Sequence, residues 1–260
     1  MNRAGLLAWV LVFFALDLYV NVTPRVWANT PAQWFTYAIA FFVLVWAAGR
    51  LVLGVRSLTG FGLGLQSGWS RELAIGFALG AGAWLLKNVV FFAMGKFSID
   101  GWMDGAFIAS MMAQAIVGML LASAINDLMI RGYWFTWCMR ANQLRWFVVI
   151  ATVLYVLDDG WNSGFAPLDL LFSTVLGIAL AWTVLKTGRI WMSIGIHWGG
   201  NVVYRAMSGF DGRGVVRLAD VRQGAQYEVI AIAITALLIP AVWWVLRERK
   251  SGLAPERKGI

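Results

Sequence analysis

Residues 106–134 have the sequence AFIASMMAQAIVGMLLASAINDLMIRGYW, and this stretch decides the fold class. Residues 106–125 hold no charged side chain, and about 20 such residues are enough to cross the hydrocarbon core of a bilayer. Asn126, Asp127 and Arg131 follow directly. Because charge in or beside lipid is costly and tends to be functional, this polar cluster is a candidate functional site.

The composition of the whole chain agrees with a membrane protein. Of its 260 residues 60% are hydrophobic and 13% are charged, against about 25% charged residues in soluble domains. The mean hydropathy is +0.72. The net charge of +8 is spread over short loops and the C-terminal tail, which indicates membrane topology and contact with anionic lipid rather than nucleic acid. We therefore predict an integral membrane protein.

The apolar runs predict an all-α, polytopic membrane helical bundle with about eight transmembrane helices in one domain, 1–260. The first run could instead be a signal peptide, because Val26-Trp27-Ala28 loosely fits a cleavage site, although Asp17 and the length of the run favour a membrane span. The glycine-rich segment 56–71 is too short to cross. The predicted spans are 6–22, 34–53, 73–94, 106–130, 146–157 with some continuation, 168–185, 191–207 and 229–246.

Basic residues fall in every second loop. By the positive-inside rule, loops rich in Lys and Arg stay in the cytoplasm, and an even number of spans puts both termini on one side. We therefore predict cytoplasmic termini, in what we take to be a bacterial plasma membrane. The basic residues are Arg50, Arg56, Arg71, Arg140, Arg145, Lys186, Arg189, Arg247, Arg249, Lys250, Arg257 and Lys258.

Three pairs of polar residues interrupt the predicted spans with the same spacing. Residues four apart share one face of a helix and can interact, so each pair offers its polar groups to one side. Gly199 and Gly200, inside the last pair, allow a neighbouring helix to approach closely. The pairs are Asp127 with Arg131, Tyr155 with Asp159, and His197 with Asn201.

Several of these residues also allow purely structural roles. Asp127 and Arg131 can form an ion pair, and Lys87 can pair with Asp17, Asp158 or Asp159. His197, the single histidine, can be a simple hydrogen-bonding contact between helices. Asp158 and Asp159 come only about 20 Å along their helix, so they lie near the bilayer and should face protein or a water-filled cavity.

Other chemistries have weaker support in the sequence. The single cysteine, Cys138, excludes an internal disulfide. His197 and the nearby aspartates match no zinc-ligand spacing, so we predict no metal and no cofactor. Ser123 and Ser193 could be nucleophiles, but neither lies in a nucleophile-elbow or triad pattern.

Together the three pairs resemble the motifs of the CAAX prenyl protease and bacteriocin-processing family (CPBP, or ABI), over about 105–205. Its first motif, Glu-Glu-x-x-x-Arg followed by Gly-Tyr, corresponds to NDLMIRGY, 126–133. Its second motif, an aromatic residue, three residues and then histidine, corresponds to YVLDD, 155–159. Its third motif, His-x-x-x-Asn after a helix ending in Thr-Gly, corresponds to LKTGRIWMSIGIHWGGN, 185–201; Gly177 also fits the pattern.

The resemblance implies a membrane-embedded endopeptidase and assigns roles to its residues. In the family, the first glutamate and the second-motif histidine activate water, and these positions hold Asn126 and Asp159. The histidine and asparagine that stabilise the oxyanion are retained as His197 and Asn201. The second glutamate is Asp127, placed to pair with Arg131. The stabilising half of the site is thus kept, and the activating half is altered.

An asparagine cannot act as a general base, so the base would have to be Asp159. Two adjacent carboxylates resist joint ionisation, so Asp158 could hold a proton while Asp159 accepts one. This hypothesis requires Asn126, Asp159 and His197 to converge on one cavity. Counted along straight helices, Asn126 lies nearer the cytoplasmic side and Asp159 nearer the outer side, so one of the two spans would have to enter deeply, tilt or break.

Three functions remain open at this point. The first is a divergent intramembrane endopeptidase that cuts a hydrophobic or prenylated peptide, with Asn126 orienting the water that Asp159 activates. The second is an acid catalyst acting on a polyisoprenoid, with Trp134, Trp161 and Trp198 stabilising a carbocation by cation–π attraction. The third is a pseudoenzyme that holds a hydrophobic segment without turnover.

Overall fold

The computed structural model of the protein describes residues 3–27 and 30–247. Ala28 of the possible cleavage site and the basic tail residues Arg249, Lys250, Arg257 and Lys258 lie outside this part. The helices are α1 (Arg3–Val26), α2 (Pro31–Ala48), α3 (Trp69–Ala93), α4 (Gly105–Asp127), α5 (Tyr133–Arg140), α6 (Phe147–Ser163), α7 (Pro167–Thr187), α8 (Trp191–Ser208), α9 (Ala225–Ala236) and α10 (Leu238–Leu246).

These helices join into eight helical rods within the described residues, which confirms the predicted all-α bundle. Wider π turns continue α2 and link α4 to α5, and α9 runs directly into α10. Six rods are long and apolar enough to cross a membrane. The other two, α6 and α8, have 17 and 18 residues and carry most of the polar pairs. The count of eight membrane spans therefore stays a prediction.

The fourth rod is longer than predicted. It runs without a break from Gly105 to Arg140, 36 residues in all, whereas the sequence suggested an end near Ile130. The apolar and aromatic residues 133–139 continue the helix after the π turn Leu128–Gly132. Asn126 therefore lies inside a rod about 54 Å long. Its side chain reaches Asp158 of α6, so the expected mismatch in depth does not arise.

A short two-stranded sheet that the sequence does not predict joins two loops at one end of the bundle. Strand β1 (Ser98–Trp102) pairs antiparallel with β2 (Val216–Ala219), with Ile99 opposite Leu218. Each strand is four or five residues long and has no long alternation of apolar and polar residues, so periodicity gives little signal. The sheet ties the α3–α4 loop to the α8–α9 loop.

Helices α3 and α8 pack backbone to backbone through glycines. A Cβ placed on Gly80 would meet the carbonyl oxygen of Ile196, and one on Gly199 would meet the carbonyl oxygen of Phe77. Gly199 thus makes the close approach predicted for it. This contact fixes the position of α8, and hence of His197, against α3.

We expect Gly80→Ala to destabilise the protein by about 1–3 kcal/mol, because the added methyl group would push against backbone that cannot rotate away. The matched control is Gly82→Ala in the same helix. A Cβ on Gly82 meets nothing within 4 Å, and alanine is the better helix former by about 1 kcal/mol. Thermal unfolding in detergent measures both variants, and equal stability of the two would contradict the tight packing of α3 on α8.

Candidate active site

The buried carboxylate of Asp127 is the centre of the polar cluster. Its Oδ1 accepts a hydrogen bond from Nη1 of Arg131 at 2.9 Å and another from the hydroxyl of Ser193. Its Oδ2 lies 3.1 Å from Nδ1 of His197. Asp127 and Arg131 are both fully buried, so the predicted ion pair is present and lies in the interior of the bundle.

The π turn at 128–132 lets Arg131 reach two preceding residues. Its Nη1 lies 2.9 Å from Asp127 Oδ1 and 3.3 Å from Asn126 Oδ1. The guanidinium carbon lies 4.7 Å from the centre of the Tyr155 ring, in the range of a cation–π contact. Single π turns inside helices are frequent at functional sites, and here the turn aims one cation at two acceptors and an aromatic face.

The contact with Asp127 sets the tautomer of His197. A carboxylate oxygen can only accept, so Nδ1 of His197 carries the hydrogen when Asp127 is ionised. Nε2 is then an acceptor in the neutral ring and a donor in the imidazolium. The His197 ring also meets the edge of Tyr155, with the ring centres 6.1 Å apart. Asp127 thus orients the imidazole through Nδ1 and leaves Nε2 for other partners.

A cavity of about 450 Å³ lies beside His197 and collects several of the predicted site residues. Tyr155 and Asp159 from α6 line it together with His197 and Asn201 from α8. Its other lining residues are Trp84, Lys87, Ser163, Asp169, Phe172, Leu176, Ile196, Tyr204 and Arg205. The two polar pairs of α6 and α8 therefore face a common space, which we call the His197 cavity.

Asp159 and Asn201 are each held by a serine. The Ser173 hydroxyl lies against Oδ2 of Asp159 and also 2.9 Å from the carbonyl oxygen of Asp169. Nδ2 of Asn201 donates to the Ser123 hydroxyl at 3.3 Å. Asp159 thereby retains Oδ1 for a ligand, and Asn201 retains the second hydrogen on Nδ2 and its Oδ1.

Lys87 lies in the wall of the His197 cavity without a carboxylate partner. The sequence allows Lys87 to pair with Asp17, Asp158 or Asp159. Among the described residues it forms none of these ion pairs. Its Nζ lies 4.7 Å from the centre of the Trp84 ring, so an aromatic face holds this cation beside the cavity.

Asn126 does not lie in the His197 cavity, contrary to the prediction that it converges there with Asp159. Its Nδ2 donates to Oδ2 of Asp158 at 2.9 Å, and its Oδ1 accepts from Arg131. The acid that meets Asn126 is therefore Asp158 and not Asp159. The reason is rotational, since neighbouring residues on a helix point about 100° apart.

Three residues that hold the site were not singled out for that role by sequence reasoning. From the sequence, Ser193 and Ser123 are candidates only as nucleophiles, and Ser173 is not a candidate. Hydroxyl groups are common inside apolar helices and scarcely change hydropathy. Their spacing from the predicted residues was the available signal: Ser193 precedes His197 by one helical turn, which brings both to the same face and to Asp127.

Among the described residues, no three side chains of His, Cys, Asp or Glu form a metal-binding group.

Comparison with known families is consistent with this geometry. Residues 108–203 match the family model of type II CAAX prenyl endopeptidases, Rce1-like. The resemblance predicted for about 105–205 is therefore confirmed over that segment. The Rce1-like segment runs from α4 to α8 and contains Asp127, Arg131, His197 and the whole of α6. The comparisons with curated proteins and with solved structures gave no match.

Residues 108–203 are thus similar to type II CAAX prenyl endopeptidases, and the six long apolar rods agree with an integral membrane protein. Against the motifs quoted in the sequence analysis, the chain differs at Asn126, Asp127 and Asp159.

Proposed function

We propose that the protein is an intramembrane endopeptidase that hydrolyses a hydrophobic or prenylated peptide in the His197 cavity. One observation carries the proposal: a buried carboxylate, Asp127, holds His197 at the edge of a cavity that Asp159 and Asn201 also line. An oriented imidazole, a carboxylate and an amide around one space provide a base and two donors, which is what addition of water to a carbonyl requires.

In the proposed reaction, Asp159 accepts a proton from water while the water oxygen bonds to the peptide carbonyl carbon. The electron pair of the carbonyl moves to its oxygen, which faces the Nδ2 hydrogen of Asn201 and the Nε2 hydrogen of the His197 imidazolium. The carbon–nitrogen bond then breaks, and the proton on Asp159 passes to the leaving amine. Asp127 and Arg131 position His197 and do not touch the substrate.

This assignment leaves Asn126 outside the chemical steps. Its amide nitrogen donates to Asp158, and its amide oxygen accepts from Arg131. Asn126 is not among the residues that line the His197 cavity. The water-orienting role predicted for Asn126 therefore has no support in the geometry. We assign it a structural role, in which its amide links the end of α4 to α6.

The orientation of the site follows the charge pattern of the loops. Connected rods alternate in direction, so the loop after α5, with Arg140 and Arg145, lies at the same end of the bundle as Lys186 and Arg189. On the positive-inside rule that end is cytoplasmic, as are both termini, and the membrane is a bacterial plasma membrane. His197 is six residues into α8, about 9 Å from that end, within reach of a peptide at the cytoplasmic face.

The experiment for the proposed function is cleavage of peptides by purified protein in uncharged detergent. Prenylated and transmembrane peptides are incubated with the wild type and with His197→Ala, and the products are identified by mass. We expect cleavage by the wild type and a loss of about 10²–10³-fold in the variant, because one oxyanion donor is removed.

Ser208→Ala is the matched control, because Ser208 lies on the same helix and its hydroxyl bonds the carbonyl of Tyr204. It should cleave at the wild-type rate. Cleavage that survives His197→Ala would contradict the proposed site.

One observation favours a second function, a pseudoenzyme that binds a hydrophobic segment. The amide of Asn126 donates to the carboxylate of Asp158, which the glutamate of the family motif, when ionised, could not do. Saturable binding of the same peptides without any product, in the wild type and in His197→Ala alike, would support this function. The polyisoprenoid alternative is weaker, because Trp134, Trp161 and Trp198 do not line the His197 cavity.

A further inference from the structure

A second cavity, which we call the α1–α6 groove, lies on the other side of α6 from the His197 cavity. It has a volume of about 570 Å³, within the range of ligand pockets. Apolar and aromatic side chains form most of its wall, and two carboxylates, Asp17 and Asp158, open into it. The other lining residues are Phe13, Phe14, Leu18, Asn21, Val22, Arg25, Ile130, Leu154, Leu157, Trp161 and Phe165.

The shape of the groove follows the axis of α1. Phe14, Leu18 and Val22 recur at every fourth residue and are exposed by 61%, 63% and 43%. They line the groove over about 12 Å along the helix. Across from them, Leu157 and Trp161 of α6 are exposed by 53% and 63%. The groove is thus a trough between two helices, and its rims present large apolar side chains at the depth of lipid.

The two carboxylates in the trough have no cationic partner among the described residues. Asn21 donates to Oδ1 of Asp17 at 3.2 Å and to Oδ1 of Asp158 at 3.4 Å, and Asn126 donates to the other oxygen of Asp158. Arg25, which also lines the groove, donates to the side-chain amide oxygen Oδ1 of Asn162 at 2.9 Å. Amides alone therefore hold the two acids, and the cation in the wall, Arg25, is bonded elsewhere.

The depth of Asp17 restricts what can supply a cationic partner. It lies about 18 Å from the start of the span at Gly5 and about 14 Å from its end at Val26, close to the middle of a hydrocarbon core of about 30 Å. A lipid headgroup stays near the surface. A basic residue in the middle of another transmembrane helix lies at this depth, and ionisable residues within membranes pair with one another.

We propose that the α1–α6 groove binds a partner transmembrane helix that carries a lysine or arginine near its midpoint. The basic side chain enters between Asp17 and Asp158, and apolar side chains one turn away on the partner pack on Phe14, Leu18 and Trp161. The site lies outside the His197 cavity and does not depend on the proposed peptidase activity.

The experiment uses two synthetic 22-residue Leu/Ala peptides with an N-terminal dansyl group, one with a central lysine and one with leucine in its place. Each is mixed with the full-length protein in phosphatidylcholine vesicles, and energy transfer from tryptophan to dansyl reports binding. We expect the lysine peptide to bind at least tenfold more tightly than the leucine peptide. Equal binding of the two peptides would overturn the proposal.

Two variants assign the binding to the groove. Asp17→Asn keeps the shape of the side chain and removes one charge, and should weaken the binding of the lysine peptide at least fivefold. Leu18→Phe keeps both charges and the number of tryptophan donors, narrows the trough, and should weaken the binding of both peptides. The matched control Asp100→Asn removes the same charge from the exposed strand β1 and should change nothing. If Asp17→Asn retains the full preference for lysine, or if Asp100→Asn weakens it equally, the binding is not in the groove.

Discussion

Asp159→Asn is expected to lower the rate of peptide cleavage by about 10²–10⁴-fold, the usual contribution of a general acid or base. An amide at this position cannot take the proton of the attacking water. The variant should still fold, because asparagine has the same shape and its side chain can still accept a hydrogen bond from Ser173. The measurement is kcat for a prenylated or transmembrane peptide at saturating concentration.

Asp158→Asn is the informative comparison for this variant, because it makes the same change at the neighbouring position. Asp158 faces the α1–α6 groove and Asn126, so its loss should reduce kcat far less than the loss of Asp159. If Asp158→Asn abolished cleavage and Asp159→Asn did not, the base would be on the other face of α6 and the proposed mechanism would be wrong.

Arg131→Met is expected to lower the free energy of unfolding by about 3–5 kcal/mol, the cost of breaking a buried ion pair by removing one partner. The change leaves the carboxylate of Asp127 fully buried without its cation, and also removes the contact with the Tyr155 ring. Equilibrium unfolding in mixed detergent micelles measures the loss. Activity should fall as well, because Asp127 would no longer hold His197 in one orientation.

Arg145→Met is the control, because Arg145 is exposed just before α6 and, within residues 3–27 and 30–247, contacts the Trp146 ring at 5.7 Å without forming an ion pair. Such surface changes usually stay within about 0.5 kcal/mol. The double variant Asp127→Asn with Arg131→Met tests the pairing itself, since its cost should be less than the sum of the two single costs. Additive costs would show that the two side chains are not coupled.

The sequence predicted the parts of the fold that depend on hydropathy. Apolar runs of about 20 residues located most of the rods, and four-residue spacing placed Asp127 with Arg131 and His197 with Asn201. It failed where an apolar run passed through a polar cluster. Residues 128–139 belong to the same helix as 105–127, but the charges at 127 and 131 resembled the end of a span. A buried ion pair neutralises such charges. Hydropathy is assigned to each residue separately, so it does not show that two charged residues pair.

The prediction of the site was wrong for a different reason, because it did not include the rotation of α6 about its own axis. Both Asp158 and Asp159 were expected near the cavity, and only packing decides which of two adjacent residues faces it. The structure turns Asp159 to the His197 cavity and Asp158 to Asn126. The contact between Asp127 and His197 was also missed, because it joins residues 70 positions apart on different helices, and spacing along one helix carries no information about such a pair.

The glycine contact between α3 and α8 limits where the His197 cavity can widen to admit a bulky molecule. Since the backbones of these two helices touch, the wall they form is stiff, and Lys87, His197 and Asn201 keep fixed mutual positions. The opposite wall consists of α6 and the beginning of α7, joined by only three residues, with Gly164 in a left-handed conformation (φ 105°) that other residues rarely adopt. We therefore expect any widening of the entrance to take place at this corner between α6 and α7 and not at the α3–α8 wall.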